Sequence, residues 1–371
     1  MLCHKTHRLL FLLLVFAFGQ HVQAMIPQLQ DTIPQVGRDE LKSTIERIYM
    51  QKGPKKNITS RPELQIISKT KEADHERWHV KYLVDTEDYA FAYLLVPNTL
   101  KKGHKLPLIL CPHPTAETGK DRVVGIYSAP AKDEQEQIGR DNRQYALDLV
   151  KRGFIAFAPD RAAYGQRRRP NGTANNKAEM VLEEQKLQLK YPGWGLTGKS
   201  IYDLQKALDM LTALDFVDST QIGIVGHSLG AWDAILLAAL DERIKATVVN
   251  AGGMVNYRPD LWKNPTALRR YLADTTRVNS LNTNANIFLM LAAPRAVLYQ
   301  YSLFDSRNRG NSQLLECFRD VTNYYTILNQ SKSADFNYFL HGYGHDFPLE
   351  SRQLAYAWFE KRLFQNNKQK Q

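Results

Sequence analysis

The sequence predicts an α/β fold: a mostly parallel central sheet with helices on both faces, opened by antiparallel strands at its N-terminal end. Three observations carry this. From Leu106 onward, short apolar runs alternate with segments of helical composition, the order of a crossover-connected parallel sheet. Before it, three strand-like stretches follow one another with only turns between them, the order of antiparallel hairpins. And Ile222–Val225 runs straight into Gly226-His227-Ser228-Leu229-Gly230 and then into the helix-forming run Ala231–Leu240: strand, sharp turn, helix.

Taken in order, residues 1–24 read as a signal peptide. Lys5 and Arg8 give a positive start, Leu9–Phe18 is a short apolar run, and Val22-Gln23-Ala24 fits a small-residue cleavage site. The run is too short for a spanning helix, and no second long apolar stretch follows, so no stable membrane insertion is expected after cleavage. Residues 25–371 read as one domain with an N-terminal extension, 25–63, that contains a helix at Asp39–Met50. Leu64–Lys69, Arg77–Val84 and Tyr89–Val96 are the antiparallel strands. Leu106–Cys111 is wholly apolar, as expected of a central strand covered on both faces. A helix at Arg140–Arg152 precedes strand Phe154–Ala158, and a helix at Lys199–Leu214 precedes Ile222–Val225. After the Ser228 turn come strand Ala246–Asn250, a helix near Leu261–Leu272, strand Ala296–Tyr301, helix Ser312–Leu328, strand Phe336–Leu340 and a terminal helix Glu350–Phe364. The connection 161–194 is long for its place and reads as a partial lid.

With 43% hydrophobic and 23% charged residues over 371 positions, the balance is that of a globular protein with a sizeable core. The formal net charge of +11 favours anionic surfaces or polymers. It does not indicate nucleic acid: the basic residues are scattered, and no nucleic-acid module is visible. The one dense cluster is Arg167-Arg168-Arg169. Cys111 and Cys317 sit inside apolar runs and read as buried free thiols, with one disulfide as the alternative. No Cys/His grouping has zinc spacing, and no cofactor is implied. Asn57-Ile58-Thr59 and Asn171-Gly172-Thr173 fit the glycosylation pattern.

The chemistry centres on Ser228, placed as a nucleophile at a strained turn whose glycines let strand and helix approach. A serine hydroxyl needs a base, and the base needs an orienting acid. His345 is the candidate base, in the glycine-bearing loop His341–Phe347 between the last strand and the last helix; His341 is its rival. Asp305, just after strand Ala296–Tyr301, is the candidate acid; Asp260 is its rival. His227, beside Ser228, is expected to point away from it, and Asp346 is not expected to orient the base. The oxyanion donors are expected to be the N–H of Leu229 and, from the loop after Leu106–Cys111, that of Thr115, with Ala116 second, because Pro114 has no N–H.

With these residues in place, the chain resembles the α/β-hydrolase superfamily. Within it, the chain is similar to the dienelactone-hydrolase-like and acetyl-xylan-esterase-like secreted bacterial esterases. The matching stretches are Gly153–Arg161, Ile222–Gly230, Ala239–Ala246 and Ala293-Pro294-Arg295, and the resemblance spans roughly Leu106 to Phe364. It implies the α/β-hydrolase fold and the order nucleophile, acid, base at Ser228, Asp305 and His345. Dienelactone hydrolases proper use a cysteine where this chain has Ser228. The implied activity is a secreted or periplasmic serine carboxylic-ester hydrolase working through an acyl-enzyme. A small-molecule or carbohydrate acyl ester is the expected substrate. Arginines 167–169 would favour an acidic or sugar-acid ester; a solvated basic loop is the other reading. A prolyl-oligopeptidase-type peptidase is an alternative, opposed by the region before Leu106, which is too short for a β-propeller. A non-catalytic binding protein on a hydrolase scaffold is another.

Overall fold

The computed structural model describes residues 38–54, 62–169, 176–252, 285–305, 311–328 and 335–364. Among these, strands β1 (Gln65–Lys71), β2 (His75–Asp85), β3 (Asp88–Pro97), β4 (Leu106–Leu110), β5 (Ile155–Pro159), β6 (Val217–His227), β7 (Ile244–Asn250), β8 (Ala296–Ser302) and β9 (Phe336–His341) form one sheet. Its order is β1-β2-β3-β5-β4-β6-β7-β8-β9. Strands β1 to β3 pair antiparallel, and β3 pairs antiparallel with β5. From β5 through β4 to β9 every pairing is parallel. The crossing between β5 and β4 puts β4, whose last four residues are buried, in the interior of the sheet, where a run without polar residues is stable.

The strands bury both faces by simple alternation. Leu108, Leu110, Ile222 and Ile224 belong to one core cluster, together with Leu41 and Ile45 of α1 (Arg38–Tyr49). Ile109, Cys111 and Val225 face the other cluster, with Tyr145 and Leu149. Each such fully buried aliphatic side chain contributes roughly 1.5–3 kcal/mol. The helix after β6, Leu229–Leu240, is apolar on nearly all sides, which suits an element enclosed by its neighbours. Cys111 and Cys317 are free and buried, and burial pushes both thiols up.

The expected helix at Arg140–Arg152 is in fact two, α2 (Glu134–Asp141) and α3 (Tyr145–Lys151). Asp133 caps α2 by accepting from the Glu136 N–H at 2.8 Å. The break at Asn142–Gln144 frees two side chains to reach the far end of the chain. The connection 161–194 contains α4 (Asn176–Lys190), and α5 (Leu196–Leu211) follows. The elbow helix is α6 (Leu229–Leu240); α7 (Ala285–Ala292), which the sequence reading did not anticipate, precedes β8. Then come α8 (Asn311–Leu328) and α9 (Leu349–Phe359), the latter ending in a wide turn, Glu360–Phe364. Residues 1–24, the two glycosylation patterns, Asp260, the segment Leu261–Leu272 and the tail lie outside the described residues. Among the described residues no helix is long and apolar enough to cross a membrane.

Candidate active site

Ser228 sits between β6 and α6 with φ 55° and ψ −115°, a conformation side chains other than glycine seldom adopt. The surrounding backbone enforces it. A Cβ on Gly226 would collide with the carbonyl of Gly230, and a Cβ on Gly230 would collide with the carbonyl of Pro112. The Ser228 N–H is held by the Asn250 carbonyl at 2.9 Å, which ties the turn to the end of β7. The result is a half-buried hydroxyl at the carboxyl end of the parallel strands.

Two further strand ends converge on it. The His345 Nε2 lies 2.9 Å from the Ser228 Oγ, and its Nδ1 lies 2.6 Å from the Asp305 Oδ2. A carboxylate only accepts, so Nδ1 carries the proton and Nε2 is left to accept from the serine hydroxyl. Asp305 is buried, at 3% exposure, just past β8. The backbone there is fastened by Leu303 N–H donating to the His341 carbonyl at 2.9 Å. His341, the rival base, is itself buried beside β9 and receives the Tyr343 N–H at 3.3 Å; burial lowers its pKa. Ser228, Asp305 and His345, 117 residues apart at the extremes, therefore form one hydrogen-bonded chain.

The loop bearing His345 is anchored by its neighbour. Asp346 receives Asn142 Nδ2 at 2.6 Å and is ion-paired with Arg143. Arg143 also donates to the His345 carbonyl at 3.2 Å, and Asn250 Nδ2 donates to the Asp346 carbonyl at 2.9 Å. Asp346 thus fixes the loop and leaves the ring to Asp305. His227 packs its ring 4.9 Å from that of His345, receives Asn250 Nδ2 on its Nδ1 at 2.7 Å, and lines the cleft.

On the other side stands the loop Pro112–Ala116. Buried His113 receives the Arg161 N–H on Nε2 at 3.1 Å, so its Nδ1 carries a proton and donates to the Pro114 carbonyl at 2.7 Å. Burial lowers the His113 pKa, which keeps the ring neutral. Because the trans peptide is planar, a Pro114 carbonyl turned toward His113 sends the Thr115 N–H the opposite way. Tyr145 fastens the same loop by donating to the Pro112 carbonyl at 2.5 Å. Thr115 lines a cleft of about 170 Å³ with Pro114, Arg122, Arg143, His227, Ser228 and His345. Leu229 begins α6 directly behind the hydroxyl, and Ala116 is buried.

Arginines 167–169, open from the sequence to two readings, a site favouring an acidic ester or a solvated basic loop, are paired within the protein. Arg167 is buried between Asp88 at 3.1 Å and Asp203 at 2.6 Å. Arg168 meets Glu117 at 2.6 Å, and Arg169 meets Glu179 at 3.0 Å. Trp194, in the same connection, is core: its Nε1 donates to the Tyr49 carbonyl at 2.6 Å. No described residue of 161–194 is among those lining the cleft, and Tyr164 packs behind it against Leu229. The arginines that do line it, Arg122 and Arg143, were not singled out from the sequence. Both lie far from Ser228 along the chain, and neither belongs to a motif. Among the described residues no group of three or more His, Cys, Asp or Glu is placed to hold a metal ion.

Comparisons with known proteins agree with this architecture. A model of the Abhydrolase family matches residues 31–253, and a model of the BAAT / acyl-CoA thioester hydrolase C-terminal region matches residues 202–313. A putative hydrolase, YtaP, of Bacillus subtilis (strain 168) is 34% identical over 104 residues, covering 28% of this chain and 31% of that protein, so the match spans under a third of that relative. A putative acetyl xylan esterase from Bacteroides fragilis NCTC 9343 superposes with a TM-score of 0.60 at 18% identity over 85% of this chain and 80% of its own. A glucuronoyl esterase from Solibacter usitatus superposes with a TM-score of 0.61 at 17% identity over 88% and 92%. At such identities the structural likeness speaks for the fold, which is the α/β-hydrolase fold. The family match extends over more than half of the chain, and the chain belongs to the Abhydrolase family.

Proposed function

We propose that the chain is a serine carboxylic-ester hydrolase acting through an acyl-enzyme, with Ser228 as nucleophile, His345 as general base and acid, and Asp305 as the orienting carboxylate. One observation carries the reading: the continuous contact from the Ser228 Oγ through both ring nitrogens of His345 to Asp305, at 2.9 and 2.6 Å. In the first step the Ser228 Oγ attacks the ester carbonyl carbon while its proton passes to His345 Nε2. The carboxylate of Asp305 stabilises the imidazolium and holds it in place. The N–H groups of Leu229 and Thr115 receive the developing oxyanion, each supplying about 10²–10³ in rate. The intermediate collapses, the alcohol leaves with the Nε2 proton, and a water activated by the same nitrogen releases the acid and restores the hydroxyl.

The fold neighbours named above, a putative acetyl xylan esterase and a glucuronoyl esterase, support a carbohydrate acyl ester as substrate. The N-terminal segment 1–24 supports an exported, extracytoplasmic enzyme, which sequencing the N-terminus of protein recovered outside the cytoplasm would test. A second reading, a thioesterase, is favoured by the match of residues 202–313 to the acyl-CoA thioester hydrolase model. The test is a panel of acetyl, longer acyl and feruloyl esters beside an acyl-thioester, each assayed with wild type and with Ser228→Ala. The expected result is ester turnover that falls about 10⁴–10⁶-fold in the variant. Full activity in Ser228→Ala would reject the mechanism, and a clear preference for the thioester would replace the substrate.

A further inference from the structure

We infer that the cleft is built for an ester that carries a second, ionised acidic group, and that Arg122 is the residue that selects for it. This rests on the ester-hydrolase reading and names its substrate class: a carboxylate-bearing ester.

Two guanidinium groups, Arg122 and Arg143, line the same cleft as the Ser228 hydroxyl. Arg143 is spoken for by its ion pair with Asp346 and its donation to the His345 carbonyl. Asp346 in turn is occupied by Arg143, Asn142 and the Phe347 N–H. Asp305 is occupied by His345. For Arg122 nothing is left. Among the described residues no carboxylate forms an ion pair with it, and its Nε is buried without a hydrogen-bond partner. Burial and the positive charge of Arg143 both act against its charged form, and Asp346 helps only weakly.

A half-buried guanidinium that repels its neighbour and has no counter-ion is a standing cost to the fold. Other guanidinium groups have partners: Arg167, Arg168 and Arg169 each meet a carboxylate, and Arg295, which meets none, donates to the carbonyls of Asp241, Ile244 and Leu291. Arg122 sits in the short 3₁₀ turn Gly119–Val124, which follows the oxyanion-loop candidate, and so it shares a wall with Thr115. The missing partner must come from outside, and within a single small cleft it must belong to the molecule that Ser228 attacks. Guanidinium recognises carboxylate through two parallel N–H donors, a geometry a neutral ester cannot match. The basic net charge of the chain adds long-range attraction of the same sign.

Two matched pairs of esters locate the charge. On the acyl side, 4-nitrophenyl hemiglutarate is compared with its methyl ester. On the alcohol side, 4-acetoxybenzoate is compared with methyl 4-acetoxybenzoate. Wild type is expected to favour the charged member of one pair by about 10–100-fold in kcat/KM, the scale of one charge-assisted contact. Arg122→Gln should bring that ratio near one, and Arg122→Lys should restore part of it. A charged-to-neutral ratio unchanged by Arg122→Gln in both pairs overturns the inference. So does an equal loss on both members, which would place Arg122 on the oxyanion instead. A measurement on wild type alone guards against a misfolded variant and against failure of the ester reading. Labelling of Ser228 by a neutral fluorophosphonate should be slowed by glutarate and not by glutaramide. If no ester is turned over but glutarate protects, the ester-hydrolase reading fails and the anion site stands. If esters are turned over and glutarate gives no protection, the anion site fails alone.

Discussion

Two sets of arginines show opposite uses of the same side chain. Arg167, Arg168 and Arg169 are consecutive and look like a cationic surface, yet each is closed off by a carboxylate from elsewhere in the chain. Arg122 and Arg143 are separated in sequence and unremarkable there, yet they line the cleft around Ser228, and Arg122 has no acidic partner among the described residues. Density of like charge along a chain reports little about charge available to a ligand. What matters is whether the fold returns a counter-ion to each group, and that depends on residues such as Asp88 and Asp203, far from the cluster.

The largest effect should come from the interior of the first set. Arg167→Ala leaves Asp88 and Asp203 with Lys199 as their one remaining shared cation, and removal of a partner from a buried charge network can cost up to about 3–5 kcal/mol. A denaturant titration checks this. The same variant should blunt the acid response. Burial raises the Asp88 pKa, but Arg167 and Lys199 outweigh it and hold the carboxyl below its usual value. A depressed native pKa means stability that is present above the ordinary carboxylate pKa of 3.8 and is lost as pH falls from there toward the native value. Wild type should therefore lose stability steeply below that point, and Arg167→Ala should lose less.

Next is Arg143→Ala. It releases the His345 loop from one of its anchors, and a small displacement of a reacting group can cost about 10–100-fold in rate. The loss should fall on kcat more than on KM, seen in steady-state kinetics with a neutral ester. Arg122→Gln should leave the unfolding free energy unchanged or raise it, since it strands no internal partner and removes an unpaired charge that burial and Arg143 oppose. Its effect belongs to the charged-to-neutral ester ratio. A large destabilisation would show that Arg122 has a structural role and blur the contrast between the two sets. Arg169→Ala should lower the unfolding midpoint by less than Arg167→Ala does: its guanidinium is half exposed, although the carboxylate it meets, Glu179, is buried.

Much of the fold could be read before the structure, for local reasons. β4 is a short apolar run, as is the Ile222–Val225 stretch of the longer β6, and the Ser228 turn announces itself by glycines that the backbone contacts of Gly226 and Gly230 require. The order Ser228, Asp305, His345 followed from where strand ends fall. Other features were illegible because their causes are distant. The break between α2 and α3 serves contacts from Asn142 and Arg143 to Asp346, more than 200 residues away. One local sign does mark the start of α2: Asp133 stands three residues before Glu136, a helix-start pattern. α7 is a short, uniformly apolar run, for which periodicity does not separate helix from strand. Arg122 had no signal at all, since its significance lies in a partner that the chain does not supply.

The mounting of Ser228 carries a lesson for how this protein could change over time. Gly226 abuts the Gly230 carbonyl, Gly230 abuts the Pro112 carbonyl, and Gly252 abuts the carbonyl of Ser228 itself. Each is a backbone-to-backbone approach with no room for even a methyl group, so single substitutions at these three sites should be almost uniformly harmful. Variation is better tolerated at a position such as Arg122, which lines the same cleft and makes none of these backbone contacts.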